Sequence, residues 1–378
     1  MKDCIFPDYN NCIVNISSSI AKQFGLKTLY TPLEELNGLE KYENVVLLII
    51  DGLGVEFLKR NGKNSFLQNH FIKAVTSVFP STTSAATTAL ETAVAPQQHC
   101  TMGWFMYLEE QNIIFAPWTF SPRVPQKYPL KIKRSDVFLE KRITDKINPS
   151  FLIYGDSMAK RKVNKEYNKL LSYQTLNEMF IQLVKAIKSS NKRKLIISHW
   201  GGFDEVCHLE GCSSLETKKH FFELDDKIAI FIDKIKGTNT TIIITSDHGQ
   251  KDTDISKAID LKDHPELKET LKMPLCGEHR FAYCYVLPDK VEQFEEYVKT
   301  KMEHYCYMHK SSDLIESNLF GLYKPNRKLK SRVGDYVLIM KDNYTLKDWL
   351  PHEKEFFSKG IHGGLSKEEM YVPLIWIK

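Results

Sequence analysis

The chain lacks the long apolar run that a membrane crossing needs. Its longest hydrophobic stretches, such as 45–50 and 241–245, are about strand length, far below the roughly 20 residues of a spanning helix. Its start, Met1-Lys2-Asp3-Cys4-Ile5-Phe6-Pro7-Asp8, has no apolar segment of the kind a secretory signal carries. A cytoplasmic location is therefore expected, with export by a route lacking a standard signal left open. No C-x-x-C pair occurs among the eight cysteines, which are scattered from Cys4 to Cys306. In a chain this large they do not read as a disulfide framework, and a reducing compartment is expected. Large charge excess is absent too: 52 basic against 47 acidic residues leave +5. The densest basic run, Lys160-Arg161-Lys162-Val163-Asn164-Lys165, reads as a solvated face, so a nucleic-acid polymer is not an expected partner. There is no internal repeat and no low-complexity segment. Nothing in the sequence fixes an oligomeric state.

What is present is an alternation. Apolar runs at 44–50, 72–78, 150–154, 194–199, 240–246, 281–287 and 371–377 read as strands. Helical patterns fall at 54–60, 83–92, 172–189, 214–236 and 290–301. Such alternation predicts a three-layer α/β/α fold with a mostly parallel central sheet. With 378 residues the chain is expected to be one large domain with an insertion. The core would comprise 1–287 and 346–378, and a small inserted cap 288–345. The segment 104–135 is rich in aromatics and proline, and is expected to form a hairpin and loop over the site.

The residues that end the strands carry the chemistry. Asp247-His248-Gly249 follows the run 241–246, and Asp51-Gly52 follows 45–50. Asp204 and His208 follow 195–200, four residues apart, so one helical turn brings both to one face. His362 sits among glycines in Gly360-Ile361-His362-Gly363-Gly364. Each has a plainer reading: Asp51 as a helix N-cap, a lone histidine as a satisfied structural side chain. Together they are three carboxylates and three imidazoles at strand ends, which suit two zinc-like dications. Ligands in such sheets bind beyond the carboxyl ends of the strands. Cys207, between Asp204 and His208, reads as a small buried residue in a turn. The segment Phe79-Pro80-Ser81-Thr82-Thr83-Ser84 enters a helix of small residues. A hydroxyl in its first turn would meet free N–H groups and the positive end of the helix dipole, which favour an anionic substrate. A plain Ser/Thr cap is the equal alternative.

The ordered set Asp-Gly, Phe-Pro-Ser-Thr-Thr, Asp-x-x-x-His, Asp-His-Gly and His-Gly-Gly resembles the type I phosphodiesterase/nucleotide pyrophosphatase family of the alkaline phosphatase superfamily. The resemblance extends from about Pro7 to Ile375. It implies two Zn2+ per chain, one held by Asp204, His208 and His362, the other by Asp51, Asp247 and His248, with Thr83 as nucleophile and a further metal ligand. Thr82 is the rival nucleophile. The implied reaction is hydrolysis of phosphodiester or pyrophosphate bonds through a covalent phospho-threonine, with a small-molecule phosphodiester or nucleotide as substrate. A phosphonate, phospholipid or phosphomonoester hydrolase with the same site is the alternative, and a non-catalytic binding protein on this fold is the alternative from another class. The intact set of ligands plus Thr83 argues against the last. Two departures stand out: Ala86 occupies a position three after the nucleophile where the family pattern has Asn, and Ala93 follows Thr92 where Gly is usual. The sulfatase pattern Cys-x-Pro-x-Arg is absent, and no Arg lies near Thr83 in sequence. Substrate contacts are expected from Ser84 (through its backbone N–H) and from Trp104, Phe105, Tyr107 and Trp118, whose aromatic rings would stack on a base or else pack within the cap.

Overall fold

The computed structural model describes residues 1, 3–128, 130–156 and 170–378. The basic run 160–165 lies outside the described residues. Six strands run in one direction: β1 (Asn44–Ile50), β2 (Phe71–Thr76), β3 (Ser150–Gly155), β4 (Leu170–Tyr173), β5 (Lys194–Trp200) and β6 (Thr240–Thr245). A second, four-stranded antiparallel sheet follows: β7 (Cys276–Glu278), β8 (Phe281–Cys284), β9 (Cys306–Lys310) and β10 (Tyr336–Met340), in the order β7-β8-β10-β9. The chain then returns to the main sheet with β11 (Tyr371–Ile377), which runs antiparallel between β2 and β6. The full order is β2-β11-β6-β1-β5-β3-β4. The central sheet is thus mostly parallel, as the alternation predicts.

Strand β1 shows why the apolar runs are continuous. Every one of its residues is buried. Val45, Leu47 and Ile49 enter one apolar cluster, and Val46, Leu48 and Ile50 enter another on the opposite face. Period-two alternation sends successive side chains to two covered faces, so both sets must be apolar. One face carries α1 (Ile13–Gln23) and α3 (Thr83–Thr92). The other carries α2 (Val55–Asn61), α4 (Leu176–Ile187), α5 (Gly202–Glu210) and α6 (Leu215–Lys234).

Three elements differ from expectation. The helix expected over 172–189 begins only at Leu176, because Thr175 and Glu178 form a reciprocal capping box. The residues before it form β4, with Tyr173 buried and its hydroxyl donating to the His199 carbonyl. The strand expected over 281–287 ends at Cys284 and belongs to the second sheet, not the main one. Helix α1 was not expected, since Ser17, Ser18 and Ser19 interrupt its apolar stripe; all three are buried. The second sheet takes two strands from before residue 288 and two from 288–345.

The two sheets are tied by one buried ion pair. Arg280, in the turn between β7 and β8, reaches Glu369 just before β11, with Nε to Oε1 at 3.0 Å and Nη2 to Oε2 at 3.1 Å. Both side chains are essentially inaccessible, at 1% and 0%. The Gly364 and Ser366 N–H groups donate to the same carboxylate, at 2.8 and 3.2 Å, and Arg280 also donates to the carbonyls of Tyr344 and Lys341. Removing one partner leaves a buried charge without its counter-charge. Glu369→Ala or Arg280→Ala should therefore cost about 3–5 kcal/mol in urea denaturation. An Arg280→Met/Glu369→Leu double variant should cost clearly less than the two single changes summed. Equal and additive losses would show that the pair is not coupled.

Candidate active site

The site lies beyond the carboxyl ends of β1, β5 and β6. Asp51 follows β1, and its N–H bonds to the Trp200 carbonyl at 2.9 Å, which fixes the turn to the neighbouring strand. Gly52 must be glycine here. Its φ is +78°, and a Cβ would come within 2.7 Å of the Gln250 amide and 3.3 Å of Asp204 Cα. The same holds for Gly249 on steric grounds alone: a Cβ would stand 2.0 Å from the Glu368 carbonyl oxygen. Asp204 and His208 project from one face of α5. Asp247 and His248 follow β6 after the single residue Ser246. His362 follows a two-residue strand, Gly360–Ile361, that pairs with Lys251–Asp252.

These six side chains form two groups of three, Asp204–His208–His362 and Asp51–Asp247–His248, each with its ligand atoms within 4.8 Å of one another. His208 Nε2 is 3.3 Å from Asp204 Oδ2, and His362 Nε2 is 3.8 Å from Asp204 Oδ1. His248 Nε2 is 3.3 Å from Asp51 Oδ1 and 3.6 Å from Asp247 Oδ2. The far ring nitrogens of His208 and His248 face the carbonyls of Gly360 and Gly249, at 2.7 and 3.1 Å, which leaves each Nε2 for the site. The rings of His248 and His362 stack with centroids 3.8 Å apart, so the two groups adjoin.

The electrostatics suit bound cations. Burial, then the neighbouring carboxylates of Asp247 and Asp204, push the Asp51 carboxyl well above its ordinary range. Its Oδ1 is buried with no hydrogen-bond donor. Burial would raise Asp204 as well, but His208 and then His362 and His248 hold it below the usual carboxylate range. His208 is opposed by burial yet raised to about 9 by Asp204. Burial and the adjacent His248 push His362 well below 6.5, so its imidazole is neutral, as a metal ligand must be. The buried Asp51 Oδ1 and the neutral His362 imidazole are donors that fit dications, and a cation beside Asp204 would displace the proton that His208 otherwise holds.

The two rival hydroxyls part company. Thr83 opens α3, and its Oγ1 lies 3.1 Å from His248 Nε2 and beside the Asp51 carboxyl. The Thr82 hydroxyl points elsewhere and donates to Glu278. Ser84 spends its hydroxyl on the Gly103 carbonyl at 2.7 Å, leaving its backbone N–H at the helix start. Ala86 is buried in the apolar cluster beneath α3, so this position faces the core and not the site.

A cavity of 1090 Å³ opens from these residues. Trp104, Phe105, Trp118 and Arg123, all from the expected overlying segment, line it together with Asp51, Thr83, Asp204, His208 and His362. Tyr107 does not line it: its ring packs on Tyr285 and its hydroxyl donates to Asn112 at 2.8 Å. The strand alternation of the hairpin 106–108/113–116 turns it into the cap core. Cys207 is buried within α5, not in a turn, and belongs to neither ligand group.

Against this geometry the chain can be compared with known proteins. The family model for type I phosphodiesterase/nucleotide pyrophosphatase matches residues 45–365. The chain belongs to this family. It is accordingly a hydrolase of phosphoric esters on an alkaline-phosphatase-like fold. Murine ectonucleotide pyrophosphatase/phosphodiesterase 5 is similar in structure, with TM-score 0.69, 18% identity and 87% of each chain covered. The human form of that protein gives 0.67 at 18% identity, over 88% of this chain and 87% of that one. Phosphonoacetate hydrolase from Sinorhizobium meliloti 1021, in complex with phosphonoformate, gives 0.60 at 17% identity, over 88% and 89%. A search of curated protein sequences finds no match.

Three residues at the site were not anticipated. His199 Nε2 lies 3.1 Å from Asp51 Oδ2, Gln250 donates its amide to Asp204, and Glu278 faces the cavity from β7. His199 is hidden inside an apolar strand. Gln250 directly follows Asp-His-Gly, a closeness that was the available signal. Asp247→Ala and His362→Ala should each lose bound metal while keeping the fold. Elemental analysis of protein purified without chelator, alongside circular dichroism, checks this, with Tyr107→Phe as a control expected to retain metal. Full metal content in either ligand variant would remove that residue from the site.

Proposed function

We propose that the protein is a zinc-dependent phosphodiesterase, with two Zn2+ per chain and Thr83 as the nucleophile. The observation that carries the reading is the Thr83 hydroxyl. It stands 3.1 Å from His248 Nε2, beside the Asp51 carboxyl, at the start of a ten-residue helix and at the floor of the cavity. Two dications bound by the six ligands would lower the hydroxyl's pKa and stabilise charge on the attacking and leaving oxygens. Thr83 Oγ attacks phosphorus, its bond to the leaving alcohol's oxygen breaks, and a phospho-threonine diester remains. Water then attacks the same phosphorus and frees the monoester and Thr83. The N–H groups at the start of α3, including that of Ser84, are suited to hold a non-bridging oxygen.

Diesters are favoured over monoesters by what lines the cavity. Among the described residues, its lysine and arginine side chains are Arg123 and Lys354. The Arg123 guanidinium is already bound to Glu353 and to the carbonyls of Leu275 and Asp348. It is not available to clamp a doubly charged phosphate. Trp104, Phe105 and Trp118 suit an organic group, and stacking on a base is worth about 1–3 kcal/mol. An inactive variant of the murine relative is described in complex with AMP, which makes a nucleoside monophosphate ester the first substrate to try. No described helix is long and apolar enough to cross a membrane, in keeping with a small-molecule substrate met in water.

The test is a hydrolysis panel with added zinc: bis-p-nitrophenyl phosphate, p-nitrophenyl phosphate, the p-nitrophenyl ester of TMP, ATP and phosphonoacetate. Diesters should show the higher kcat/KM. A monoester preference of about tenfold, or about 1.4 kcal/mol, or turnover of the phosphonate alone, would overturn the reading. Thr83→Ala should lower kcat at least about a thousandfold with both metals retained, and Thr83→Ser should keep part of the activity. Thr82→Ala should be far milder; a dead Thr82→Ala beside an active Thr83→Ala would move the nucleophile by one residue.

A further inference from the structure

Glu278 ends β7, and its side chain lines the cavity in company with Thr83. The Thr82 hydroxyl, one residue before Thr83, donates to its carboxyl, and the Trp104 N–H faces it. Its stem is braced on the other side by Gly363, the residue after His362. A Cβ there would already come within 3.3 Å of Glu278 Cγ. The group is therefore fixed between the segment that supplies Thr83 and the loop that supplies His362. Burial pushes its carboxyl up to about 7, against the Thr82 donor, so the ionised form prevails only above that pH.

We propose that Glu278, in its ionised form, is a charge filter that sets the preference for diesters over monoesters. This rests on the phosphodiesterase reading above. A phosphomonoester carries close to two negative charges at neutral pH, spread over three terminal oxygens, whereas a diester carries one, with an ester oxygen in place of the third. Cations held by the six ligands, with the α3 N-terminus, would serve the other oxygens. The remaining one would face Glu278, and the Arg123 guanidinium that could have neutralised it is held by Glu353. A charged oxygen there is repelled; an ester oxygen is not. Discrimination thus comes from a fixed repulsive group as well as from the aromatic wall that attracts the second substituent.

The experiment compares, at alkaline pH where Glu278 is ionised, the zinc-loaded wild type with Glu278→Gln and Glu278→Ala. The probes are bis-p-nitrophenyl phosphate, p-nitrophenyl phosphate and inorganic phosphate, the last followed by calorimetry. The ratio of diester to monoester kcat/KM should fall about tenfold or more in both variants. Inorganic phosphate should bind them about tenfold more tightly, with metal content unchanged. A ratio and a phosphate affinity within about twofold of wild type overturn the filter. So does loss of metal from both variants, which would make Glu278 a support of the ligand loops. A wild type that itself prefers monoesters sinks the diesterase reading instead, so the two failures are told apart.

Discussion

Three carboxylates crowded side by side, two of them buried and one half-buried, are the constraint on which this structure turns. Asp51, Asp204 and Asp247 lie close enough for the other two to press upward on Asp51. Without positive charge such an arrangement is costly, because a desolvated anion beside other anions is stabilised by neither water nor partner. The protein supplies part of the answer through His208, His362 and His248. The remainder is work for bound cations. The surrounding fold serves this arrangement: strands that end together, glycines that admit close approach, and carbonyls that aim the imidazoles.

The site is assembled from distant parts of the chain, and its shape depends on how they are braced. The Arg280–Glu369 pair joins the β7–β8 turn to the segment before β11. The same carboxylate takes the N–H of Gly364, two residues from His362. The Glu369 carbonyl takes the N–H of Gly249, next to His248. One residue therefore touches the loops of both histidines without entering the cavity. Cap and core are in this sense a single mechanical unit around the ligands.

Much of this was legible from residue order. Strands buried on both faces leave unbroken apolar runs, and ligands placed at their ends stand out as Asp-Gly and Asp-His-Gly. The six ligand candidates come together in space as two groups. What could not be read follows from physics with no local signature. His199 and Glu278 reach the site through packing between strands far apart in sequence. Tyr107 takes the cap-packing alternative because hairpin alternation, not composition, decides which aromatic faces the cavity. The run 281–287 does not reveal its sheet, since an apolar run says that a strand is buried but not beside which neighbour. Helix α1 was overlooked because buried serines look like loop residues until their partners are known, as with Ser17, which bonds the Leu90 carbonyl.

The placement of β11 has a consequence for how the protein is made. This strand lies inside the sheet, between β2 and β6, yet it is synthesised well over a hundred residues after β6 begins. Until it emerges from the ribosome, β2 and β6 each present an open edge of unpaired N–H and carbonyl groups. Such edges invite pairing with other chains. His362 is also translated late, so the ligand set cannot be complete on a nascent chain that lacks it. Metal loading would then follow closure of the sheet, and chaperones that shield strand edges would matter most in the interval before it.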